Sequence, residues 1–200
     1  MKRTFIWSAI IILITSLYAC SDDGKVTKDE ITYRNQLVFY EGKPYTGVVY
    51  DFFEDGKTPR SEISFKNGKL HGKTLEWYEN GQMKGEGNAK DGVAEGKSIY
   101  WYENGNKMGE ENYHDNKKHG KFTIWFEDGN IKSETSYTND KINGLSTTYY
   151  MEGSKQSEIN YIRGRQIGTV KVWDKEGNIT FEDYTPASTE NPASSENQEK

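Results

Sequence analysis

Two short stretches of the chain carry a glycine, a lysine and a hydroxyl residue in the order found at the end of a phosphate-binding loop. They are Gly72-Lys73-Thr74 and Gly96-Lys97-Ser98. Such a loop needs another glycine five residues before this one, and Asn67 and Asp91 occupy those positions. It also needs a following helix whose N-terminus faces the anion, whereas the residues that follow here favour strands. The sequence therefore predicts turns at these positions and no nucleotide site.

Six glutamates recur at a regular spacing, and paired carboxylates can act as general acids and bases or bind cations. They are Glu62, Glu86, Glu110, Glu134, Glu158 and Glu182. If each lies two strands from the next, their separation is roughly 10 Å, which is too wide for two carboxylates to share a proton or a water in most hydrolases. We therefore expect these side chains to form salt bridges with neighbouring lysines.

Histidine and cysteine, which could bind metals or act as nucleophiles, are scarce. His71 and His119 would lie roughly 19 Å apart across four strands, too far to share a metal. His114 and His119 flank one turn, but a metal site needs three or four ligands. Cys20 is the only cysteine, and no Ser-His-Asp or Cys-His set can be assembled. We therefore expect no enzyme, no metal, no cofactor and no small-molecule substrate.

Glycines recur along the chain with the same period as the glutamates. One series is Gly56, Gly81, Gly105, Gly129, Gly153 and Gly177, and a second, nine residues earlier, is Gly47, Gly72, Gly96, Gly120, Gly144 and Gly168. A third position reads Gly68, Gly92, Asn116, Asp140 and Gly164. Because Gly, Asn and Asp enter the left-handed region at low cost, this third position is a turn. The spacing predicts six repeats of about 24 residues from residue 47 to about residue 185.

The sequence W-Y-E-N-G occurs at residues 77–81 and 101–105, and its last three residues favour a turn. They suit a three-residue hairpin loop, in which a type I turn is closed by a left-handed glycine. A two-residue type I′ turn on Asn104 and Gly105 is the alternative. It would require Glu176 to adopt positive φ in the equivalent repeat, which glutamate does poorly.

Each repeat therefore contains two strands, and aromatic residues lie on both faces of the predicted sheet because neighbouring residues of a strand point to opposite sides. One aromatic row is the predicted core: Phe52, Trp77, Trp101, Trp125, Tyr149 and Trp173. The next row is the candidate interaction surface: Phe53, Tyr78, Tyr102, Phe126 and Tyr150. With a three-residue loop, Tyr113, Tyr137 and Tyr161 are expected on the Trp101 face. A shift of one residue would move them to the other face.

The predicted fold is all-β: an elongated antiparallel β-hairpin repeat array, with about twelve strands spanning roughly 60 Å. Helices are excluded because glycine recurs too often and β-branched and aromatic residues dominate between glycines. The pattern G-K-x-x-x-W-Y-E-N-G, followed by K-x-E-x-x-Y-x-x-G-x-x-x-G, resembles the bacterial MORN repeat variant. The resemblance covers residues 47 to about 185, with a partial unit near residues 37–45. It implies a meander or solenoid that serves as a scaffold or contact surface and has no catalytic residues.

The ends of the chain differ from the repeats in composition. Residues 1–19 have a basic start and a short apolar stretch typical of a signal peptide, and Leu17 to Cys20 resembles a bacterial lipobox with Cys20 as the lipid attachment site. Ser21-Asp22-Asp23 resembles an export tag of surface lipoproteins. We predict a flexible tether at 20–32, the repeat domain at 33–185 and a disordered tail at 186–200, which is rich in Pro, Ser and Glu.

These features predict an outer-membrane lipoprotein that faces the periplasm or the cell surface. A formal net charge of −5 argues against nucleic acid. Rings on both sheet faces predict a scaffold that binds an unknown protein partner or a second copy of itself, with the membrane reached through the lipid anchor. One alternative is an immunity protein that neutralises a toxin, because proteins resembling this one are often labelled antitoxins. The other is a surface glycan-binding protein that uses Trp77, Trp101, Trp125 and Trp173.

Overall fold

The computed structural model describes residues 25–185, which form one long β-sheet and one small sheet. The elements before the repeats are β1 (Val26–Thr27), a 3₁₀ helix (Lys28–Glu30), β2 (Ile31–Arg34), β3 (Leu37–Tyr40) and β4 (Lys43–Pro44). The repeats supply β5 (Gly47–Phe52), β6 (Pro59–Lys66), β7 (Lys69–Trp77), β8 (Met83–Lys90), β9 (Val93–Ala94), β10 (Gly96–Trp101), β11 (Lys107–His114), β12 (Lys117–Lys118), β13 (Gly120–Trp125), β14 (Ile131–Thr138), β15 (Lys141–Tyr149), β16 (Lys155–Ile162), β17 (Arg165–Trp173) and β18 (Ile179–Thr185). Within residues 25–185 no helix is long and apolar enough to cross a membrane.

Successive strands of the repeats pair antiparallel from β5 to β18, so the chain meanders across the sheet without crossovers. The short strands β9 and β12 continue the pairing beside β8 and β11. This confirms the predicted antiparallel hairpin array. One edge differs from the prediction, because β1 adds to β5 in parallel, with Val26 opposite Val49.

The start of the described chain is structured, although the sequence predicted a tether over residues 20–32. Residues 26–32 contain β1, the 3₁₀ helix and the first residues of β2. Strands β2, β3 and β4 form the small second sheet. The predictions for residues 1–19, for Cys20 and for the tail at 186–200 lie outside the described residues.

The two kinds of turn follow different rules. At W-Y-E-N-G the Tyr102 amide donates to the Asn106 carbonyl over 2.8 Å, and Gly105 closes the turn with φ of 88°. This is the predicted three-residue loop. The other turn has two residues, and both are left-handed: Asp91 has φ of 52° and Gly92 has φ of 94°. The sequence predicted only the second of these positions, but a type I′ turn needs both.

A bulge after each three-residue loop changes which residues share a face. Trp101 pairs with Lys107, but Tyr100 pairs with Gly109, so Met108 is an extra residue on its strand. The same shift recurs in every hairpin of this kind from β5 to β18. It moves the rest of each second strand by one residue, which reverses the side its residues face.

Tyr113 therefore pairs with Gly96 and shares a face with Ser98 and Tyr100. The prediction that Tyr113, Tyr137 and Tyr161 share the Trp101 face is wrong for this reason. We call the side that carries Tyr100 and Tyr113 the tyrosine face. The opposite side, which carries Trp101 and the regularly spaced glutamates, is the glutamate face.

The main apolar core lies at the N-terminal end of the tyrosine face. Ile31 and Val38 of the small sheet pack against Val49 and Phe65 of the long sheet, and all four are buried. Farther along the same face Phe122 and Val170 are also buried. The small sheet thus acts as a cap that gives this end of the array a second layer.

The predicted core row is not buried. Its members are each half-buried, namely Phe52, Trp77, Trp101, Trp125, Tyr149 and Trp173. The rings expected to support them from the second strands lie on the opposite face because of the bulge. Beyond the cap the long sheet is a single layer, so both of its faces retain solvent contact.

Candidate interaction surface

The candidate interaction row, Phe53, Tyr78, Tyr102, Phe126 and Tyr150, runs along the tyrosine face, and its tyrosines join each repeat to the next. The Tyr78 hydroxyl donates to the Trp101 carbonyl over 2.8 Å, and that of Tyr102 donates to the Trp125 carbonyl over 2.9 Å. Tyr150 makes the same bond to Trp173, also over 2.9 Å. Each ring is therefore held in place across a repeat boundary.

We expect Tyr102→Phe to lower the free energy of unfolding by about 1 kcal/mol, because it removes one hydrogen bond and leaves a carbonyl unpaired. The chain supplies the reverse change, since Phe126 occupies the same repeat position without a hydroxyl. Phe126→Tyr should stabilise by up to about 1 kcal/mol by donating to the Tyr149 carbonyl. Urea unfolding followed by circular dichroism measures both changes. Unchanged stability in Tyr102→Phe would show that the bond contributes nothing.

The asparagine of W-Y-E-N-G also acts through its side chain. The Asn104 carboxamide oxygen accepts from the Asn106 amide over 2.9 Å, which closes its own turn. Its amide group donates to the Glu127 carbonyl over 3.0 Å, in the next turn along the array. Asn80 repeats both bonds, to the Gln82 amide and the Glu103 carbonyl. The sequence explained this residue only by its backbone conformation.

Hydrogen bonds also join successive two-residue turns, which lie at the opposite ends of the strands. The Asn116 amide donates to the Ala94 carbonyl over 3.0 Å, and the Asn116 side chain accepts from the Ala94 amide over 2.6 Å. Asp140 makes the same two bonds with Lys118. The turns at both ends of the strands are thus hydrogen-bonded from repeat to repeat. These bonds fix the backbone that carries the interaction row.

Two histidines contact carboxylates near these two-residue turns. His71 Nδ1 lies 3.1 Å from an Asp91 carboxylate oxygen, and His114 Nδ1 lies 3.1 Å from a Glu95 carboxylate oxygen. The Asp115 amide donates to Glu95, and with His114 it holds the pKa of that carboxyl below its ordinary value. The rings of His114 and His119 are 6.1 Å apart. Within residues 25–185 no group of three or more potential ligands is arranged to hold a metal ion.

Open depressions lie between neighbouring rings of the interaction row. One of ≈ 510 Å³ separates Phe53 from Tyr78, and one of ≈ 430 Å³ separates Phe126 from Tyr150. Cations lie beside the rings: the Arg60 guanidinium is 4.8 Å from the centre of the Phe53 ring, and Lys132 is 5.6 Å from that of Phe126. The surface therefore combines fixed rings, cations and recesses that could receive side chains of another molecule.

Four of the six regularly spaced glutamates form the predicted salt bridges on the glutamate face, whereas Glu62 and Glu86 have no salt-bridge partner among residues 25–185. Glu110 lies 2.6 Å from Lys97 and 3.1 Å from Lys107. The same repeat position forms the pairs Lys121–Glu134, Lys155–Glu158 and Lys171–Glu182. The hydrogen bond from Lys97 is the main cause that lowers the pKa of Glu110 below its ordinary value, and Lys107 adds to it against the opposing effect of desolvation.

Glu110 should stabilise the fold only while it is ionised. Because its pKa is lowered in the folded state, its contribution is complete above the unfolded pKa of about 4.3 and is lost as the pH falls through the folded value. We expect Glu110→Gln to cost about 0.5–1 kcal/mol at neutral pH and progressively less as the pH falls below the unfolded pKa. Thermal unfolding across this range measures the difference from wild type. Glu86→Gln is the control, because among residues 25–185 Glu86 has no salt-bridge partner; equal losses in both variants would contradict the assignment.

A comparison of the sequence with known protein families finds a repeat of the same length as the unit in the structure. Three segments match the MORN repeat variant: residues 70–91, 94–115 and 118–139. Each MORN repeat variant segment runs through one three-residue loop and ends within the two-residue turn that follows the second strand. Such repeats are generally involved in protein or membrane interactions. No curated protein matches the chain.

The sequence identified this row of aromatic residues but did not predict how the tyrosine rings are held. Tyr78, Tyr102 and Tyr150 were predicted as exposed contact residues, and each is half-buried with its hydroxyl bonded to the next repeat. The signal was available in the spacing, because each tyrosine precedes its acceptor by 23 residues, one less than the repeat. The pairing of neighbouring repeats, which the sequence does not show, is what places each hydroxyl beside a carbonyl 23 residues later.

Proposed function

We propose that this protein is a non-catalytic scaffold, attached to the bacterial envelope by a lipid on Cys20, which binds another protein through the interaction row on its tyrosine face. The observation that carries the proposal is the row itself. Five aromatic residues at one repeat position lie along a single-layer sheet, and three of them are held by hydrogen bonds to the next repeat.

The physical properties of the row favour a protein partner. Aromatic side chains supply much of the binding free energy at protein interfaces, and arginine beside them is common. Because three of the rings are already held in place, ordering them on binding would cost less conformational entropy. Exposed apolar residues near the row, among them Ile124 and Met151, add to the surface available for contact.

The glycan alternative has less support. Stacking on a sugar needs a free ring face, but the Lys107 ammonium lies 5.5 Å from the centre of the Trp125 ring and Lys155 lies 5.8 Å from that of Trp173. The immunity alternative would place a toxin on the same interaction row. The identity of the bound protein separates that alternative from a general scaffold.

Photo-crosslinking in living cells tests the proposal. A benzoylphenylalanine in place of Phe126 keeps an aromatic ring on the interaction row and breaks no hydroxyl hydrogen bond. The same residue in place of Leu145, which is exposed on the glutamate face, is the control. We expect a crosslinked protein at position 126 and none at position 145. No crosslink at either position, or the same crosslinks at both, would count against the proposal.

Attachment through Cys20 is tested separately. Cells fed an alkyne-labelled palmitate should label the wild-type protein, and Cys20→Ser should abolish labelling and move the protein from the membrane fraction to the soluble fraction. A lipid chain contributes membrane affinity through its buried methylene groups, so its loss should release the protein. Retention of the Cys20→Ser variant in the membrane fraction, with no labelling of either form, would contradict the anchor.

A further inference from the structure

One internal repeat lacks an aromatic residue at a position on the tyrosine face where four other repeats have one, and the last repeat has Thr185 there. The second strands place an aromatic residue there in four cases: Phe65, Tyr113, Tyr137 and Tyr161. Ala89 is the exception among strands β6, β8, β11, β14 and β16. The pairing of Ala89 with Gly72 matches that of Tyr113 with Gly96, so the backbone of β8 follows the same register.

The neighbours of Ala89 do not fill the space that its small side chain leaves. Gly85 and Gly87 precede it on the same face of β8, and Thr74 lies on that face of β7. A recess of ≈ 290 Å³ results, with Leu70 and Tyr100 among the residues that line it. We call it the Ala89 recess. Its floor is glycine backbone, and an added Cβ at Gly87 would lie 3.1 Å from the Ser98 hydroxyl.

The equivalent position elsewhere shows what such a space holds. The Tyr137 ring packs on Phe122 with 4.7 Å between ring centres, and Tyr113 lies 5.8 Å from Phe122 on the other side. The array therefore accommodates a ring at this place between two hairpins. Because the Ala89 hairpin has the same backbone pairing and lacks the ring, the recess has room for an aromatic side chain from outside.

The charge around the recess favours a basic neighbour for that ring. Glu76 is the charged lining residue on the tyrosine face, because Glu86 alternates with Gly85 and Gly87 and belongs to the glutamate face; within the described residues no lysine or arginine lines the recess. Glu76 is half-exposed and pairs loosely with Lys84, at 3.7 Å. The chain as a whole also carries a net charge of −5. A cation beside the incoming ring would thus meet favourable charge.

We propose that the Ala89 recess binds a tyrosine or phenylalanine side chain of a protein partner, presented beside a basic residue. The ring would lie on the glycine floor against Tyr100 and take the place that Tyr113 and Tyr137 fill in later repeats. This proposal rests on the proposed function in that both assign protein contact to the tyrosine face. It names a second contact point and the chemistry that fits it.

A peptide titration tests the recess without the natural partner. The probe is acetyl-Lys-Tyr-Lys-amide, added to the isotope-labelled full chain and followed by amide chemical shifts. We expect shifts at Gly85, Gly87 and Ala89, and binding about tenfold weaker for acetyl-Lys-Ala-Lys-amide, which lacks the ring. Acetyl-Glu-Tyr-Glu-amide should also bind more weakly, because its charges repel the rim. Equal binding of all three peptides, or no shifts at these residues, would overturn the proposal.

Two variants make the test specific. Ala89→Tyr supplies the missing ring from within the chain and should abolish the peptide shifts while raising the midpoint of thermal unfolding. Tyr100→Thr removes one wall and introduces the residue found at the equivalent Thr148; it should weaken peptide binding severalfold while the circular dichroism spectrum stays unchanged. Unchanged peptide binding in both variants would place the peptide elsewhere. A partner crosslinked at position 126 despite that result would leave the proposed function intact and remove only this proposal.

Discussion

Phe65→Ala is expected to lower the free energy of unfolding by about 3–5 kcal/mol, the cost typical of removing a buried phenylalanine ring. Phe65 is 8% exposed and packs with Ile31, Val38 and Val49 between the long sheet and its cap. No other part of the described chain has an apolar cluster with two layers of this kind. Losing the ring would leave a cavity where the small sheet meets the long one. Urea unfolding followed by circular dichroism measures the change.

The repeats provide a matched control for this prediction. Tyr113 occupies the same repeat position as Phe65, but it is half-buried and has no second layer above it. Tyr113→Ala should therefore cost clearly less, about 1–2 kcal/mol, and the native Ala89 shows that the position accepts alanine within the array. Equal losses in the two variants would mean that the cap adds nothing to the stability of this end.

The cap could be predicted less completely from the sequence than the repeats. Repeats are recognised because residues recur, and the glycines, glutamates and W-Y-E-N-G turns recur often enough to predict the strands, both turns and the antiparallel order. Strand β1 has two residues and pairs in parallel, and the small sheet occurs once. The sequence showed only a partial unit near residues 37–45 and grouped it with the repeats, because its place in a separate sheet depends on contacts with residues distant in sequence.

The error about sheet faces has a different physical origin. A bulge needs one extra residue, and the residues at that position, such as Arg60, Met108 and Gln156, share no property that marks them. Yet one residue reverses the face of every side chain that follows it. The aromatic rows were therefore visible in the sequence, whereas the side on which the second-strand tyrosines lie was not. The hydroxyl bonds of Tyr78 and Tyr102 were missed because they depend on how neighbouring repeats pair.

Gly68→Asn is expected to destabilise the protein by about 2–3 kcal/mol, although asparagine is native at the equivalent Asn116. Gly68 has φ of 79°, close to the 63° of Asn116, so backbone conformation alone would permit the change. The obstacle is the cap: an added Cβ would lie 2.9 Å from the Val38 carbonyl oxygen and 3.2 Å from Leu37 Cβ. These atoms belong to β3 and cannot move without disturbing the bonds that join Gly68 to Val38 and Tyr45.

Gly92→Asn separates this steric effect from the intrinsic cost of the substitution. Gly92 holds the same turn position one repeat later, with φ of 94°, and an added Cβ there would have no other atom within 4 Å. Gly92→Asn should lower the free energy of unfolding by less than about 0.5 kcal/mol, since asparagine tolerates the left-handed region. Amide hydrogen exchange of Val38, whose amide donates to the Gly68 carbonyl over 2.9 Å, should accelerate in Gly68→Asn and not in Gly92→Asn. Similar losses of stability in the two variants would show that the Val38 carbonyl and Leu37 do not restrict the residue at position 68.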